Sequence, residues 1–424
     1  MAARGPIVLL LNDEYGTSKG GVSTINLQAG QMLKDKAVVY STVLQLEVPK
    51  RDQEAADRDG VQLIKPHQRK GDKTEPSINW LSFQYLTYYP KSDSKLPQHV
   101  EVVSKLPPHV DVIVGHADIT DTAAKNIKDE YYREADLIMI THVLPEDTEY
   151  YKGGRKAMKA WEKERDMLDK VDKAKAAFSV GPRIFDHYDT KYKGEKKPQD
   201  HYIFLPKPSE LFLAKNVRPG GGQKVVLSIG RVRKVEKQKG HDLTAQSMGD
   251  VKRRIPNVKW DARGISEDDW ETSKKILEDN LNSPDLNPNL MCYGTQEDIL
   301  NDMMTAHMVL MPSRSEPFGL VGLEAIAAGI PVLISNQTGL AGMILDLIKQ
   351  GKLSAEHRSV IVETSVNDSD RAGDVKRWAD RIVDVLTYSD SEFEKAARLK
   401  QQLVASKYWE ESHRTFLQAC GIPA

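Results

Sequence analysis

Two glutamates on either side of a glycine are the residues of this chain whose types and spacing most clearly could do chemistry. Glu316 and Glu324 flank Gly319, which precedes a predicted helix of small residues from Leu320 to Ala328. A glycine there lets a ligand approach the backbone closely, and the free N–H groups of a helix start favour an anion. A carboxylate, by contrast, is a good acceptor for vicinal hydroxyls. Together these features predict a polyhydroxyl ligand joined to phosphate, which is a nucleotide sugar.

A structural interpretation of the same acids stays open, since the helix dipole alone favours an acid near a helix N-terminus. The two common phosphate-binding motifs do not occur in the sequence. No G-x-G-x-x-G follows a predicted strand, and the glycines from Gly16 to Gly21 run on into Val22 rather than into a Walker lysine. Redox cofactors and phosphoryl transfer are therefore disfavoured.

The composition is that of a globular protein without a bias in charge. The 424 residues include 60 basic and 61 acidic side chains, a formal net charge of -1, so we expect no general attraction to nucleic acid. Two cysteines, Cys292 and Cys420, are too few for a disulfide scaffold, which favours a cytoplasmic location. No apolar run reaches the ~20 residues of a membrane span.

Strand-like and helix-like segments alternate in both halves of the chain. A proline and three glycines between Arg218 and Gln223 form a linker that separates the halves. Strands are predicted at 6–11, 37–42, 61–64, 111–115, 136–140, 176–180 and 202–205, and after the linker at 224–229, 258–262, 290–293, 307–311, 331–334 and 359–363. The alternation predicts an α/β fold with two parallel sheets, in domains at 1–217 and 218–404, and a ligand-binding cleft between them.

Two helices of the second half carry start signals. Ser266 with Asp269, and Thr295 with Asp298, fit capping boxes, in which the hydroxyl and the carboxylate each satisfy a free backbone N–H group. Helices are therefore predicted to begin at both places.

The stretch from Met311 to Val332 resembles the signature of glycosyltransferase family 4, retaining enzymes of the GT-B fold. Seven residues separate its two glutamates, as in the family, and its Pro-Ser-Arg, Phe-Gly-Leu and Glu-Ala-Ile-Ala-Ala-Gly-Ile-Pro-Val segments match the family pattern. Upstream, Ser228–Arg231 and Lys239–Leu243 are similar to its Gly-Arg and Lys-Gly pair. Tyr293–Gly294, followed by Glu297–Leu300, is similar to its nucleoside-side loop. The match is strong from about 225 to 344 and weaker in the front half.

The resemblance implies a role for each matching residue on the donor side. Arg231 and Lys239 would neutralise the diphosphate and stabilise it as it leaves. Glu316 would hold hydroxyls of the donor sugar, and Glu324 those of the ribose. The residues whose backbone would meet the phosphate, the sugar or the nucleoside are Phe318, Gly319, Leu320 and Gly294. No metal or other cofactor is expected, because GT-B enzymes generally do without a metal and no metal-ligand spacing occurs.

The basic cluster departs from the family in one respect. Eight positions separate Arg231 from Lys239, which is longer than usual, so Arg233, Lys234 or Lys237 could share or take the role of Lys239. A solvated loop is the alternative interpretation of this cluster.

In the front half, Gly20, Gly21 and Val22 are similar to the family's glycine loop, in which small residues let the acceptor and the donor sugar approach the backbone. A simple tight turn is the alternative. His142 resembles the family's histidine near the donor sugar, where it would donate a hydrogen bond or support the departing group. His116 resembles a second recurring histidine with a structural role. Outside this context, either residue would more often be a buried histidine with its hydrogen bonds satisfied.

The resemblance implies a GT-B glycosyltransferase that moves a sugar from a nucleotide diphosphate to an acceptor hydroxyl with retention. UDP is the expected nucleotide, by its frequency in the family, with GDP and ADP left open; the acceptor and the oligomeric state are not predicted. The last helix, within 405–424, is expected to return to the acceptor-side domain, 1–217. Two alternatives remain: a nucleotide-sugar-binding module without transfer activity, and an epimerase or hydrolase of the same fold, against which the glutamate spacing argues.

Two further features are expected to be structural. Asp368 and Asp370 spell the D-x-D metal motif of another glycosyltransferase fold, but they follow the last predicted strand, where capping explains them. A basic helix with an apolar stripe from Met158 to Val171 could dock peripherally on anionic lipid. Core packing with a solvated basic face is the favoured interpretation.

Overall fold

A computed structural model describes residues 5–66, 106–152, 154–232, 237–366 and 369–423. In the first half the elements are β1 (Ile7–Leu10), α1 (Gly21–Leu33), β2 (Val38–Thr42), α2 (Lys50–Asp59), β3 (Val61–Ile64), β4 (Val112–His116), α3 (Asp121–Glu130), β5 (Asp136–Thr141), α4 (Pro145–Lys152), α5 (Gly154–Met158), α6 (Ala160–Val171), β6 (Ala176–Val180), α7 (Pro182–Lys191), β7 (Asp200–Phe204) and α8 (Glu210–Leu213). In the second half they are β8 (Lys224–Ile229), α9 (His241–Arg254), β9 (Val258–Ile265), α10 (Trp270–Leu281), β10 (Asn289–Cys292), α11 (Gln296–Thr305), β11 (Met308–Met311), α12 (Leu320–Ala328), β12 (Val332–Ser335), α13 (Gly339–Lys349), β13 (Ile361–Val362), α14 (Arg371–Thr387), α15 (Ser389–Ser406) and α16 (Glu410–Ala419).

The strands form two parallel sheets, which confirms the predicted α/β class. The first sheet has the order β3-β2-β1-β4-β5-β6-β7 and the second has the order β10-β9-β8-β11-β12-β13. Each pair of neighbouring strands is parallel. Central strands such as β1 and β11 are short apolar runs because helices cover both faces of each sheet.

The strand order reverses once in each sheet, between β1 and β4 and between β8 and β11. In open parallel sheets, ligands bind beyond the carboxyl ends of the strands at this reversal. In the first sheet the segments that leave these ends are the glycine loop before α1 and His116 at the end of β4. In the second sheet they are the loop that contains Lys239 and the loop that contains Glu316. The topology therefore places both sets of candidate residues at reversal points.

The last helix, α16, packs against the first sheet. The ring of Phe416 lies 5.4 Å from that of Phe178 in β6, edge to face, and His413 Nε2 hydrogen-bonds the carbonyl of Leu205 at 3.0 Å. Just before the glycine linker, the N–H of Val217 donates to the carbonyl of Ala328 in the second half. The chain thus crosses between the sheets twice, near residue 217 and again before α16, and 217/218 stays our proposed domain boundary.

Of the two predicted capping boxes, one is present and one is not. Thr295 and Asp298 cap α11 reciprocally, as predicted. The prediction for Ser266 is wrong, because β9 continues to Ile265 and the N–H of Asp269 bonds the carbonyl of Ser266 in a turn. Helix α10 therefore begins only at Trp270, without a side-chain cap.

The apolar stripe predicted to pack in the core is divided. Val171 of α6 is buried, but Met158 and Trp161 are 68% and 55% exposed, so the prediction of core packing is wrong for these two residues. Among the described residues, none of the helices combines the length and the apolar character needed to cross a bilayer.

Candidate functional site

The residue before α12 occupies a position that only glycine can take without strain. Gly319 has φ of 111° and lies directly before the helix, and a Cβ atom at this position would lie 2.7 Å from Met311 Cε. The backbone of Gly319 and Leu320 therefore opens the helix with free N–H groups. The side chain of Phe318 is buried and packs against Gly181 of the first half, so Phe318 can offer a ligand its backbone only.

Lys239 and Glu316, which are 77 residues apart in sequence, form an ion pair between two loops. The distance between Lys239 Nζ and Glu316 Oε2 is 2.5 Å, and Ser313 Oγ donates to the same carboxylate oxygen at 3.3 Å. Both charged side chains are partly buried. The structure thus brings together the cation expected to meet a diphosphate and the acid expected to hold sugar hydroxyls.

Arg231 is joined to the start of α9 through its backbone. Its carbonyl accepts a hydrogen bond from His241 Nε2 at 2.8 Å, while its side chain is exposed. Burial lowers the pKa of His241 to about 4, so the ring is neutral and donates to this carbonyl. Arg233 and Lys234, and the side chain of Lys237, lie outside the described residues. Among the described cations of the cluster, Lys239 is the one that pairs with Glu316.

Glu324 is buried within α12, and its one hydrogen-bond partner among the described residues is neutral. Gln296 Nε2 donates to Glu324 Oε1 at 2.8 Å, and burial raises the pKa of Glu324 to about 7. Sequence reasoning missed Gln296, although it directly follows the capping residue Thr295 and so lies at a helix start. Gly294, just before it, lies against Arg263, since a Cβ there would be 2.8 Å from Arg263 Nη1.

The glycine loop of the first half faces the start of α12. Gly20 has φ of 96°, and α1 begins at the next residue, Gly21. A Cβ on Gly21 would lie 3.3 Å from Leu320 Cδ1. The N-terminal ends of one helix from each sheet therefore meet across the interface. Two converging helix starts favour an anion between them.

His142 and His116 form a buried hydrogen-bonded pair at the ends of β5 and β4. His116 Nδ1 lies 2.8 Å from His142 Nε2, and His116 Nε2 lies 3.1 Å from Asn26 Oδ1. Burial lowers the pKa of His116 to about 3 and holds the pKa of His142 well below its usual value, so both rings are neutral.

The hydrogen bonds around Asn26 assign protons to both histidines. Asn26 Nδ2 donates to Ser41 Oγ at 3.4 Å, so its Oδ1 accepts the proton on His116 Nε2. His116 Nδ1 then accepts from His142 Nε2–H, and His142 Nδ1 carries no proton. A ligand hydroxyl at His142 would therefore donate to this ring. The role predicted for His142, to donate a hydrogen bond or to support the departing group, stays a prediction; in this tautomer its Nδ1 would accept.

Further buried polar contacts hold the loop of Glu316 in place, and sequence reasoning missed them. Arg314, almost fully buried, makes a two-fold hydrogen bond to Asp242 at the start of α9, at 2.8 and 3.2 Å. Ser315 Oγ donates to Asp147 Oδ2 of α4 at 2.6 Å, and Arg183 of α7 donates to the same oxygen at 2.8 Å. The loop is thus connected to both halves of the molecule.

The predicted D-x-D motif is only partly described. Asp368 lies outside the described residues, and Asp370 caps α14 by accepting from the N–H of Gly373 at 3.2 Å. Within the described ranges, His, Cys, Asp and Glu side chains do not form a group of three or more that could hold a metal ion.

The chain is thus a two-domain α/β protein with two Rossmann-like units. Their helix starts meet near a Lys–Glu ion pair and a buried glutamate. The chain belongs to the family described as "Family 4 Glycosyltransferase in conflict systems", whose model matches residues 9–416. The resemblance found in the sequence is therefore confirmed at the level of the family.

Curated relatives match this chain over limited segments. It is similar to D-inositol 3-phosphate glycosyltransferase from Arthrobacter sp. (strain FB24), with 40% identity over 79 residues, which is 18% of each chain. The matched segments of the curated relatives amount to between 10% and 36% of the relatives' own length.

Solved structures match the chain over nearly its whole length. A sucrose-phosphate synthase from Thermosynechococcus elongatus has a TM-score of 0.65 at 17% identity, covering 97% of this chain and 98% of that one. Anabaena Alr3699/HepE, solved in complex with UDP and glucose, has a TM-score of 0.60 at 14% identity, covering 98% of each chain. These similarities confirm the expected GT-B fold.

Proposed function

We propose that this protein is a retaining glycosyltransferase that moves a sugar from a nucleotide diphosphate, with UDP as the nucleotide, to an acceptor hydroxyl. The observation that carries the proposal is the Lys239–Glu316 ion pair beside the start of α12. A cation and a hydroxyl-binding acid at one helix start fit the two parts of such a donor, its diphosphate and its sugar. The family and the fold support the same reaction class.

In the proposed reaction, a bound diphosphate draws Lys239 away from Glu316. Lys239 and the N–H groups at the start of α12 then stabilise the phosphate oxygen as the bond between it and the sugar C1 breaks, and Arg231 adds positive charge. Glu316, freed from its partner, accepts hydrogen bonds from sugar hydroxyls. The acceptor oxygen forms its bond to C1 on the same face, and its proton passes to the departing phosphate oxygen. No side chain of the protein forms a covalent intermediate.

Glu324 and Gln296 are proposed to hold the nucleoside. A ribose hydroxyl that donates to Glu324 would replace the hydrogen bond that Gln296 Nε2 now makes. The choice of UDP is supported by family frequency and by the UDP bound to the Anabaena protein. His142 Nδ1, in the tautomer assigned above, would accept a hydrogen bond from a hydroxyl of the donor sugar.

Two further proposals concern the metal requirement and the cellular location. With Lys239, Arg231 and two helix starts to neutralise the diphosphate, we propose that transfer needs no metal ion. A cytoplasmic location is also proposed, because Cys292 and Cys420 are both free thiols.

Turnover of labelled nucleotide sugars tests the proposal. The full chain is incubated with UDP-, GDP- and ADP-linked sugars, and release of nucleoside diphosphate and sugar is followed, with Glu316→Ala as the comparison. Slow donor hydrolysis that Glu316→Ala abolishes supports a transferase. Saturable binding without any turnover would instead establish the binding module, and a changed sugar still attached to its nucleotide would establish an epimerase.

A further inference from the structure

Arg314 is a buried charged residue that the proposed reaction does not use. It lies in the loop between β11 and α12, and it is only 1% exposed. Its guanidinium makes a two-fold hydrogen bond to Asp242 at the start of α9, with N–O distances of 2.8 and 3.2 Å. A buried guanidinium is costly unless an acid pairs with it in this way. The pair joins the loop of Glu316 to the helix that follows Lys239.

Arg314 also joins the two loops through its backbone. Its N–H donates to the carbonyl of Gln238 at 2.8 Å. Close by, a Cβ atom on Gly240 would lie 2.1 Å from the carbonyl oxygen of Pro312, so the two backbones are in direct contact there. The loops thus touch at the residues on both sides of Lys239, which restricts where the side chain of that lysine can reach.

Asp242 balances the charge of Arg314 inside the protein. Burial alone would raise the pKa of Asp242, but the hydrogen bond and the charge of Arg314 hold it below its usual value, so the acid is ionised. Arg371 of α14 contacts the same carboxylate at 3.2 Å. The charge of Arg314 is therefore met at Asp242, and Lys239 is the cation of the described cluster that pairs with Glu316.

We propose that Arg314 is a positioning residue for the transfer reaction. Through Asp242 and the carbonyl of Gln238 it holds Lys239 beside Glu316, and its buried side chain does not itself touch the donor. The inference rests on the proposed function, in which Lys239 stabilises the phosphate oxygen as it leaves. A displaced Lys239 would stabilise that oxygen less in the transition state, whereas the N–H groups at the start of α12 would still bind the nucleotide.

Steady-state kinetics of Arg314→Lys tests the inference. A lysine keeps the positive charge but cannot make the two-fold bond. We therefore expect kcat to fall about tenfold or more, with KM for the donor little changed. Arg377→Lys is the matched control, because Arg377 also pairs with a buried acid, Asp374, but within α14 and outside the two loops. This control is expected to turn over donor as the unmodified protein does.

A double-mutant cycle separates positioning from a general loss of structure. If Arg314 acts through Lys239, then Arg314→Lys added to Lys239→Ala causes no further loss of turnover, because the group that it positions is already gone. Two losses that multiply, or an equal loss in Arg377→Lys, overturn the inference. Asp242→Asn removes the charged partner of Arg314 and should behave as Arg314→Lys does, which keeps the test decisive if Arg314→Lys does not fold.

Nitrogen NMR of the Lys239 ammonium group tests the same point without any donor. Its signal is identified by its loss in Lys239→Arg. An ammonium group held by an acid exchanges its protons with water more slowly, so we expect a signal in the unmodified protein and in Arg377→Lys, and its broadening in Arg314→Lys. A signal that is absent from the unmodified protein, or unchanged in Arg314→Lys, overturns the inference. If the unmodified chain turns over no donor while the signals behave as expected, the proposed function is refuted and the placement of Lys239 by Arg314 is not.

Discussion

At the start of α12 the charged side chains are already neutralised by one another, whereas at the ends of β4 and β5 the polar side chains carry no charge. Lys239 pairs with Glu316 in the first region. In the second, His116 and His142 are neutral because burial lowers the pKa of each. In the proposed reaction, a ligand would exchange hydrogen-bond partners with the Lys239–Glu316 pair, whereas at the histidine pair it would meet a neutral ring that is already held in place. The two regions therefore differ in charge: a paired cation and acid lie in the second half of the chain, and two neutral hydrogen-bonded rings lie in the first half.

The largest effect on donor turnover is expected from removing the cation of the Lys239–Glu316 ion pair. Lys239→Ala leaves a partly buried Glu316 without its partner, next to the position proposed for the diphosphate, so two negative charges repel. We expect donor turnover to fall about 100-fold to 1,000-fold, as for the loss of a group that stabilises a leaving anion. Steady-state kinetics on the donor that is turned over measures this.

The double variant tests whether the two residues act as a pair. Glu316→Gln added to Lys239→Ala removes the repelling charge, so nucleotide affinity should partly recover although turnover stays low. Lys376→Ala, which breaks an exposed pair on α14, is the control and should change nothing. Full additivity of the two losses in affinity would mean that the ion pair has no part in donor binding.

The next effect concerns nucleotide affinity. Glu324→Ala is expected to weaken UDP binding by about 10-fold to 100-fold, because it removes the acceptor proposed for the ribose. Glu316→Ala should weaken it less, since Glu316 is assigned to the sugar. Calorimetric titration of both variants with UDP measures the difference, and equal affinities would refute the assignment.

The pKa of Glu324 adds a stability measurement to the same residue. Burial raises this pKa from 4.5 to about 7, so between these values the folded protein binds more protons than the unfolded chain. The free energy of unfolding contributed by this group therefore falls as pH rises through that window. Glu324→Gln removes the dependence and should gain stability over the unmodified protein between pH 5 and pH 8, by on the order of 3 kcal/mol at most. Thermal unfolding of both proteins at pH 5 and pH 8 measures this gain. An equal stability difference between the two proteins at both pH values would contradict a buried, ionisable Glu324.

The same two regions show what could be predicted from the sequence. Strands such as β8 and helix α12 were predictable residue by residue, because apolar runs and flanking glycines are local signals. The partner of Lys239 was not, since an ion pair across 77 residues depends on how two loops pack. The tautomer of His142 likewise depends on Asn26 and Ser41, which the chain brings in from α1 and β2.

Predictions from the sequence were wrong where tertiary contacts override local signals. The strand predicted at 359–363 shortens to Ile361–Val362, because a 3-10 helix at Ala355–Val360 occupies the residues before it. The prediction that Met158 packs in the core fails because periodicity identifies an apolar face without saying what covers it.

A smaller effect on kcat is expected from changing the neutral His116–His142 pair. His116→Phe keeps a ring but removes the acceptor of His142 Nε2–H, so His142 can take either tautomer. We expect kcat to fall about fivefold to tenfold, the worth of one hydrogen bond, with KM for the donor less affected. His116→Gln, whose carbonyl can accept the same proton, should restore part of the loss. Nitrogen NMR of His142 that shows a proton on Nδ1 in the unmodified protein would contradict the proposed role.

The smallest effect concerns the contact that joins the two halves beside Glu316. Ser315→Ala removes the hydrogen bond from Ser315 Oγ to Asp147, which joins the two halves on this side. Two other bonds between the halves remain here, from Arg183 to the carbonyl of Gln337 and from Tyr151 to the carbonyl of Val366. Loss of one such bond weakens the closed arrangement by about 1 kcal/mol, which shifts its population severalfold.

A donor that binds at the start of α12 and contacts the glycine loop needs both halves together, so it must supply that missing free energy itself. KM for the donor should therefore rise about threefold to fivefold in Ser315→Ala, with kcat unchanged. Small-angle scattering without ligand should show a larger radius of gyration, which saturating donor restores. Tyr150→Phe, an exposed neighbour of Tyr151, is the matched control. If kcat falls and the radius stays constant, Ser315 acts on Glu316 within its own loop and the contact with Asp147 does not govern closure.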